Sequence, residues 1–166
     1  MKNILLSFLM IFGLISCTNA QKKEFSTEAL NEKMLSLDGK EMTLKEIISQ
    51  NMGRTVVIDV WASWCPDCIK SMPKTEQLQQ DFPETQFVYL SYDKTKESWQ
   101  KGIEKYNLKG QHYLIQSSWK DGAFKKSADI DWIPRYIVLD KTGNIALYRA
   151  IEADDEKLIE ILKSVY

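Results

Sequence analysis

Cysteine and histidine are scarce in this chain, with three cysteines and one histidine among 166 residues. A structural zinc ion needs four Cys or His ligands. Beyond the pair Cys65 and Cys68, only Cys17 and His112 remain, and Cys17 lies in an N-terminal targeting segment. The shell is incomplete, so no metal is expected. Basic excess is missing as well. The formal net charge is −1 and no basic run is present, which removes the usual electrostatic footprint of a nucleic-acid partner. The apolar run at residues 4–15 is too short to span a bilayer comfortably. No repeat, low-complexity tract or internal linker breaks the remainder, which reads as a single domain with one core.

What is present begins with a targeting signal. Lys2 followed by the apolar residues 4–15 has the form of a secretory signal. It ends in Leu14-Ile15-Ser16-Cys17, which resembles the bacterial lipobox, where a small residue precedes a cysteine that is lipidated and becomes the mature N-terminus. The other reading is an ordinary signal with an incidental cysteine. On the first reading, residues 1–16 are the signal, residues 17–33 a lipidated tether, and residues 34–166 the domain. The mature protein is then anchored to the cell envelope by acyl chains, outside the cytoplasm. Loss of the signal takes one of the 22 basic residues, Lys2, and leaves 21 against 23 acidic ones, a net charge near −2.

The densest chemical signal is Trp61-Ala62-Ser63-Trp64-Cys65-Pro66-Asp67-Cys68, directly after the apolar run Val56-Val57-Ile58-Asp59-Val60. The run reads as a buried strand, and Pro66 suits the first turn of a helix. Both sulfurs then sit at a strand-to-helix corner, where free N–H groups and the helix dipole stabilise a thiolate. Residues three apart at a helix start are neighbours, which suits reversible dithiol–disulfide exchange. Half of a zinc site and a purely structural disulfide are the alternatives. The latter would constrain very little chain.

Around this corner the pattern predicts an α/β domain, a sheet covered by helices on both faces. Residues 34–42 read as a hairpin turning at Asp38-Gly39, and Thr43-Leu44-Lys45-Glu46 has capping-box spacing for a helix ending near Gln50. A helix is expected over residues 66–81, interrupted or kinked at Pro73. A strand follows at residues 87–91 and a helix at 96–106, with Trp99, Ile103 and Tyr106 on one stripe and the charges of residues 94–105 on a solvated face. Residues 110–126 are ambiguous, with a strand near 113–115. Residues 135–139 and 145–149 flank a turn as a hairpin, and a helix from Asp154 to the chain end opens on Asp154-Asp155-Glu156, which is capping chemistry.

The chain resembles the thioredoxin fold and, more closely, the extracytoplasmic TlpA/ResA-like family. The residues that carry the likeness are Ser36-Leu37-Asp38-Gly39-Lys40, the segment from Val57 to Cys68, Met72-Pro73, and Ile133-Pro134-Arg135-Tyr136-Ile137-Val138-Leu139-Asp140-Lys141-Thr142-Gly143. The resemblance implies a central mixed sheet flanked by helices, with an N-terminal hairpin extension. It implies that Cys65, exposed at the helix start, attacks, and that the more buried Cys68 resolves the mixed disulfide. It makes Pro134 a cis proline against the disulfide and Ile133 a backbone docking edge for substrate. Asp59 matches the buried aspartate that helps move the proton of the second cysteine, with a strand-end Asp bonded to backbone or water as the alternative. Trp64 matches the indole that shields the site. Trp61 is expected in the core, the Trp119/Trp132 pair in core or surface packing, and His112 as a partly buried ring with a hydrogen-bond partner and no role.

Two residues depart from the family pattern. Ser71 stands where many members carry a glutamate three residues after the second cysteine, and Arg135 stands where threonine is common after the cis proline. Arg135 would favour acidic or polar partners near the dithiol, or lie along the surface. Between the cysteines, Pro66-Asp67 places a carboxylate beside Cys65, which disfavours the thiolate and stabilises the disulfide. The expectation is therefore a reductant of protein disulfides, with no cofactor beyond the Cys65–Cys68 disulfide. A membrane thiol protein would serve as electron donor, and the family connection suggests cytochrome c maturation as one setting. A thiol peroxidase of the same fold is the competing enzyme, although its Pro-x-x-x-Thr-x-x-Cys setting is absent. A chaperone or binding module with incidental thiols is the non-catalytic alternative.

Overall fold

The computed structural model describes residues 24–165; the signal, Cys17 and the first part of the tether lie outside them. In chain order the elements are α1 (Thr27–Leu30), β1 (Lys33–Ser36), β2 (Glu41–Thr43), α2 (Leu44–Gln50), β3 (Val56–Trp61), α3 (Pro66–Asp81), β4 (Gln86–Ser91), α4 (Lys96–Lys105), β5 (Gln111–Ile115), α5 (Ala123–Ser127), β6 (Arg135–Leu139), β7 (Ile145–Ala150) and α6 (Glu156–Val165). The seven strands form one mixed sheet in the order β2-β1-β5-β4-β3-β6-β7. β3 pairs parallel to β4 and antiparallel to β6, so it is central and all six of its residues are buried. A continuous apolar run is what a strand covered on both faces requires. Asp59 is its one charged member.

The local signals act as their chemistry dictates. Gly39 at φ +83° closes the β1–β2 turn, its N–H donating to the Ser36 carbonyl at 3.0 Å. Thr43 and Glu46 cap α2 reciprocally, each side chain accepting from the other's backbone N–H. At the start of α6, Asp155 Oδ1 accepts from the N–H groups of Lys157 and Leu158, so the acidic run there is a cap. α3 runs unbroken through Pro73, because losing one backbone donor removes one rung of a ladder that packing holds on both sides.

One ambiguity is resolved and two expectations are corrected. The ambiguous stretch holds β5, which contains the strand expected near 113–115, and the start of α5. Polar Gln111 and His112 open β5, yet His112 is buried, and α5 begins after Gly122, with Glu32 Oε2 accepting the Phe124 N–H at 2.8 Å. The tether ends earlier than residue 33. Phe25 is buried with its ring 5.7 Å from that of Phe124, and Ser26 both caps α1 and donates its N–H to Ser127 Oγ. The apolar surface of Phe25 and Ala29 draws this segment onto α5. The last helix begins two residues later than expected, after its own cap.

Candidate active site

The first turn of α3 is built around sulfur. Cys65 is the residue that caps the helix (φ −88°, ψ 109°), Pro66 follows at the first helical position, and the Cys68 N–H donates to Cys65 Sγ at 3.1 Å. Serine, threonine and aspartate usually accept this bond through oxygen; here a sulfur does. Cys65 and Cys68 are joined as a disulfide with their Cα atoms 5.3 Å apart. A thiolate on Cys65 would face the positive end of a 16-residue helix.

The corner that presents Cys65 is clamped from two sides. Buried Asp93, just past β4, accepts from the Ser63 N–H at 3.0 Å, from Ser63 Oγ at 2.6 Å and from Ser91 Oγ at 2.8 Å. α4 presses from the other side at Gly102, where a Cβ would stand 2.6 Å from Ser63 Cβ and 3.1 Å from the Trp61 ring. Sequence reasoning missed Asp93. Its only signal is a Ser-x-Asp pair at a strand end, a common turn pattern.

Across the site runs the loop before β6. The Ile133–Pro134 peptide is cis, and the Ile133 carbonyl oxygen lies 3.5 Å from Cys65 Sγ. Cys65 was expected to be exposed, but it has 0 % exposure, as does Ile133. The contact between them is the reason: in the disulfide form the sulfur and the docking edge cover each other. Arg135 is likewise buried at 1 % exposure and does not lie along the surface. It pairs with Asp131, which also accepts from Arg149 Nη2 at 2.8 Å, so the two arginines brace the loop that carries Ile133.

Exposed groups form the rim instead. Trp64 and Trp132 are each about half exposed. The Trp64 indole N–H points to the Tyr92 carbonyl, and the Trp132 indole N–H to Asp67 Oδ2, each at 3.4 Å. Trp119 joins them edge-on, 4.8 Å from Tyr92 and 6.4 Å from Trp132. A groove of about 490 Å³ opens beside this rim, lined among others by Asp67, Ser71, Asp131, Trp132, Pro134 and Arg135.

Beneath the corner, Asp59 is buried at mid-strand, and burial pushes its carboxyl up to about 8, against a smaller pull from the Tyr136 hydroxyl. Its Oδ1 has no hydrogen-bond partner among the described residues. His112 stacks on Tyr89 with ring centroids 4.9 Å apart, and its Nε2 lies 3.1 Å from the Leu108 carbonyl. Burial lowers its pKa, so the ring sits neutral in the core. Among the described residues no cluster of three His, Cys, Asp or Glu side chains could hold a metal ion.

With this geometry established, likeness to known proteins becomes informative. Residues 53–145 match the Thioredoxin-like family model. The chain belongs to the thioredoxin-like family. A thiol-disulfide oxidoreductase named ResA, from Bacillus thuringiensis subsp. konkukian, is 27% identical over 179 residues, covering 99% of both chains. The solution structure of a candidate thiol-disulfide oxidoreductase from Bacteroides vulgatus is 28% identical with a TM-score of 0.68, covering 84% of this chain and 88% of that one. A thiol-disulfide oxidoreductase from Bacteroides fragilis has the same fold at TM-score 0.68 and 22% identity, covering 84% of this chain and 99% of its own. By its homologues this thioredoxin-like protein is a thiol–disulfide oxidoreductase, and its structure holds a Cys65–Cys68 disulfide at the helix start.

Proposed function

We propose that this thioredoxin-like protein reduces protein disulfides outside the cytoplasm while tethered to the membrane by a lipid on Cys17. Cys65 is the attacking thiolate and Cys68 the resolving thiol. The observation that carries this reading is the sulfur cap, in which Cys65 Sγ receives the Cys68 N–H at a helix start. A negative charge on that sulfur is stabilised by the same groups that stabilise an anion at any helix N-terminus. Asp67, exposed in the first turn, opposes that effect and favours the disulfide over the dithiol. A pair poised that way gives its electrons to substrate disulfides and must be recharged by a stronger thiol donor at the membrane. The two sulfurs carry the electrons, with no further cofactor. Proteins with cysteine pairs, apocytochromes among them, are the substrates, and the rim indoles Trp64 and Trp132 supply the apolar contact surface for their chains.

Equilibration of the pair against glutathione or dithiothreitol buffers, read by thiol trapping, tests the direction. A potential below about −230 mV is expected; a value near −120 mV, typical of a strong oxidant, would make the protein a disulfide former. Replacing both cysteines by serine abolishes the reduction of a protein disulfide. A chaperone activity kept by that variant, read as suppressed aggregation of an unfolded protein, would instead indicate a chaperone, and rapid turnover of dilute hydrogen peroxide by the native protein would indicate a peroxidase. Mass analysis of the membrane-extracted protein reports whether the chain begins at an acylated Cys17.

A further inference from the structure

Tyr136 is a buried titratable residue that the exchange reaction, as described so far, does not use. In the antiparallel pairing of β3 with β6 it stands directly opposite Asp59. Directly opposed residues share a face of the sheet, their Cβ atoms about 5 Å apart. That face is the one under α3, because the Tyr136 hydroxyl lies 2.9 Å from Ser71 Oγ and 2.9 Å from Thr75 Oγ1, both on α3. Cys68, Ser71 and Thr75 follow one another at helical spacing along the buried stripe of α3. Asp59, Cys68, Tyr136 and Ser71 therefore occupy one helix–sheet interface. Ser71 has a second property: it is a wall of the groove beside the disulfide. Two hydroxyls thus lead from the neighbourhood of a partnerless carboxyl oxygen to the groove beside the disulfide.

We propose that Tyr136 and Ser71 relay a proton between Asp59 and the groove beside the disulfide. The inference rests on the oxidoreductase reading and assigns the proton route within it. The Cys65 thiolate attacks a substrate disulfide, the Cys65–substrate bond forms, and the first substrate thiolate leaves. Where Asp59 is ionised, a share that grows as pH rises toward about 8, Cys68 then gives its proton to the carboxylate and its sulfur attacks Cys65 Sγ. The mixed bond breaks, and the second substrate thiolate leaves with the electron pair, so two electrons have passed from dithiol to substrate. Tyr136 accepts the proton from Asp59 and donates its own to Ser71, which donates in turn to the departing thiolate or to groove water. Each hydroxyl is restored after the shift, and both contacts on Tyr136 permit either atom to donate. The charged and titratable groups around the path are Tyr89 on β4, with His112 of β5 stacked on it, Glu76 on α3 and Asp154 before α6. Asp154 is paired with Lys74, and Lys70, Lys74, Arg135 and Arg149 line the groove where the path ends, with Ser71 the hydroxyl that joins Tyr136 to it.

The test is single-turnover reduction of oxidised glutathione by the dithiol protein. Acid quenching and mass resolution separate the Cys65–glutathione mixed disulfide from the final disulfide. In Tyr136→Phe and Ser71→Ala, formation of the mixed disulfide should stay within about twofold of wild type, while its decay slows about tenfold near pH 7. The decay should also show a larger solvent deuterium effect, and Ser71→Thr should restore it. Loss of the Tyr136 donor should move the pH inflection of the decay upward, since a hydrogen bond to the carboxylate is gone. Decay rates equal to wild type in both variants from about pH 6 to about pH 9, or equal slowing of both steps, would overturn the relay. A wild-type protein that formed no mixed disulfide at all would instead sink the oxidoreductase reading, and the relay with it.

Discussion

At the residue scale, Asp59 is where sequence and environment disagree most. A carboxyl within Val56-Val57-Ile58-Asp59-Val60 is a costly choice for a strand buried on both faces, and the cost appears as a pKa raised to about 8. The linkage sign follows from that direction. The folded protein holds a proton that the unfolded chain releases near the ordinary aspartate value of 3.8. The contribution to stability is whole below that value, and it fades as pH rises toward about 8. Across that interval the slope reaches about 1.4 kcal/mol per pH unit. Asp59→Asn should flatten it, so that denaturant unfolding of the oxidised variant changes less between pH 5 and pH 8 than that of wild type. The same substitution should slow resolution by Cys68 and leave attack by Cys65 intact. An unaltered pH slope would mean that Asp59 is solvated or paired in solution. That Asp59 is an unusual strand residue could be read from the sequence. That Tyr136 and Ser71 surround it could not, since they lie 77 and 12 positions away and only β-pairing and helix packing bring them close.

At the element scale, the strand-to-helix corner depends on elements distant in sequence. α4 carries a glycine against Ser63 because a Cβ there would collide with the Ser63 Cβ and crowd the Trp61 ring. Gly102→Ala should lower stability by about 1–3 kcal/mol, the usual cost of overpacking, despite alanine's better helix propensity. Thermal or urea unfolding checks this, and a stabilised variant would show that α4 can shift outward freely. The sequence pattern made Trp99 the anchor of this helix, and it is fully buried. It gave no reason for Gly102, because a close approach is a property of two elements and of neither alone. The same holds for α5. Gly122 before it has no side chain to cap it, so the distant Glu32 accepts the Phe124 N–H at 2.8 Å and burial of Phe124 holds the helix in place.

At the scale of the whole molecule, the domain reaches back past β1 to Phe25. A chain beginning at residue 24 should fold with full stability. One beginning at residue 34 should lose at least about 3 kcal/mol, since it forfeits the buried Phe25 ring and with it α1. Denaturant midpoints of the two truncated proteins decide the boundary, and equal midpoints would return residues 25–33 to the tether. The sheet order places β3 between β4 and β6, so the redox corner grows from the best-supported strand of the fold. The loop before β6 crosses its end, and the site is therefore made where the middle and last thirds of the chain meet.

The amino-acid sequence determined the chemistry and the order of the elements, because both are local. Two cysteines three apart at a strand-to-helix switch, a capping box, a turn glycine and alternating apolar runs each act over a few residues. Tertiary structure decided what covers what. It buried Cys65 against the Ile133 carbonyl, turned Arg135 inward onto Asp131, and set Tyr136 across from Asp59 under α3. Burial and long-range pairing depend on every element at once, and no short window of sequence contains them.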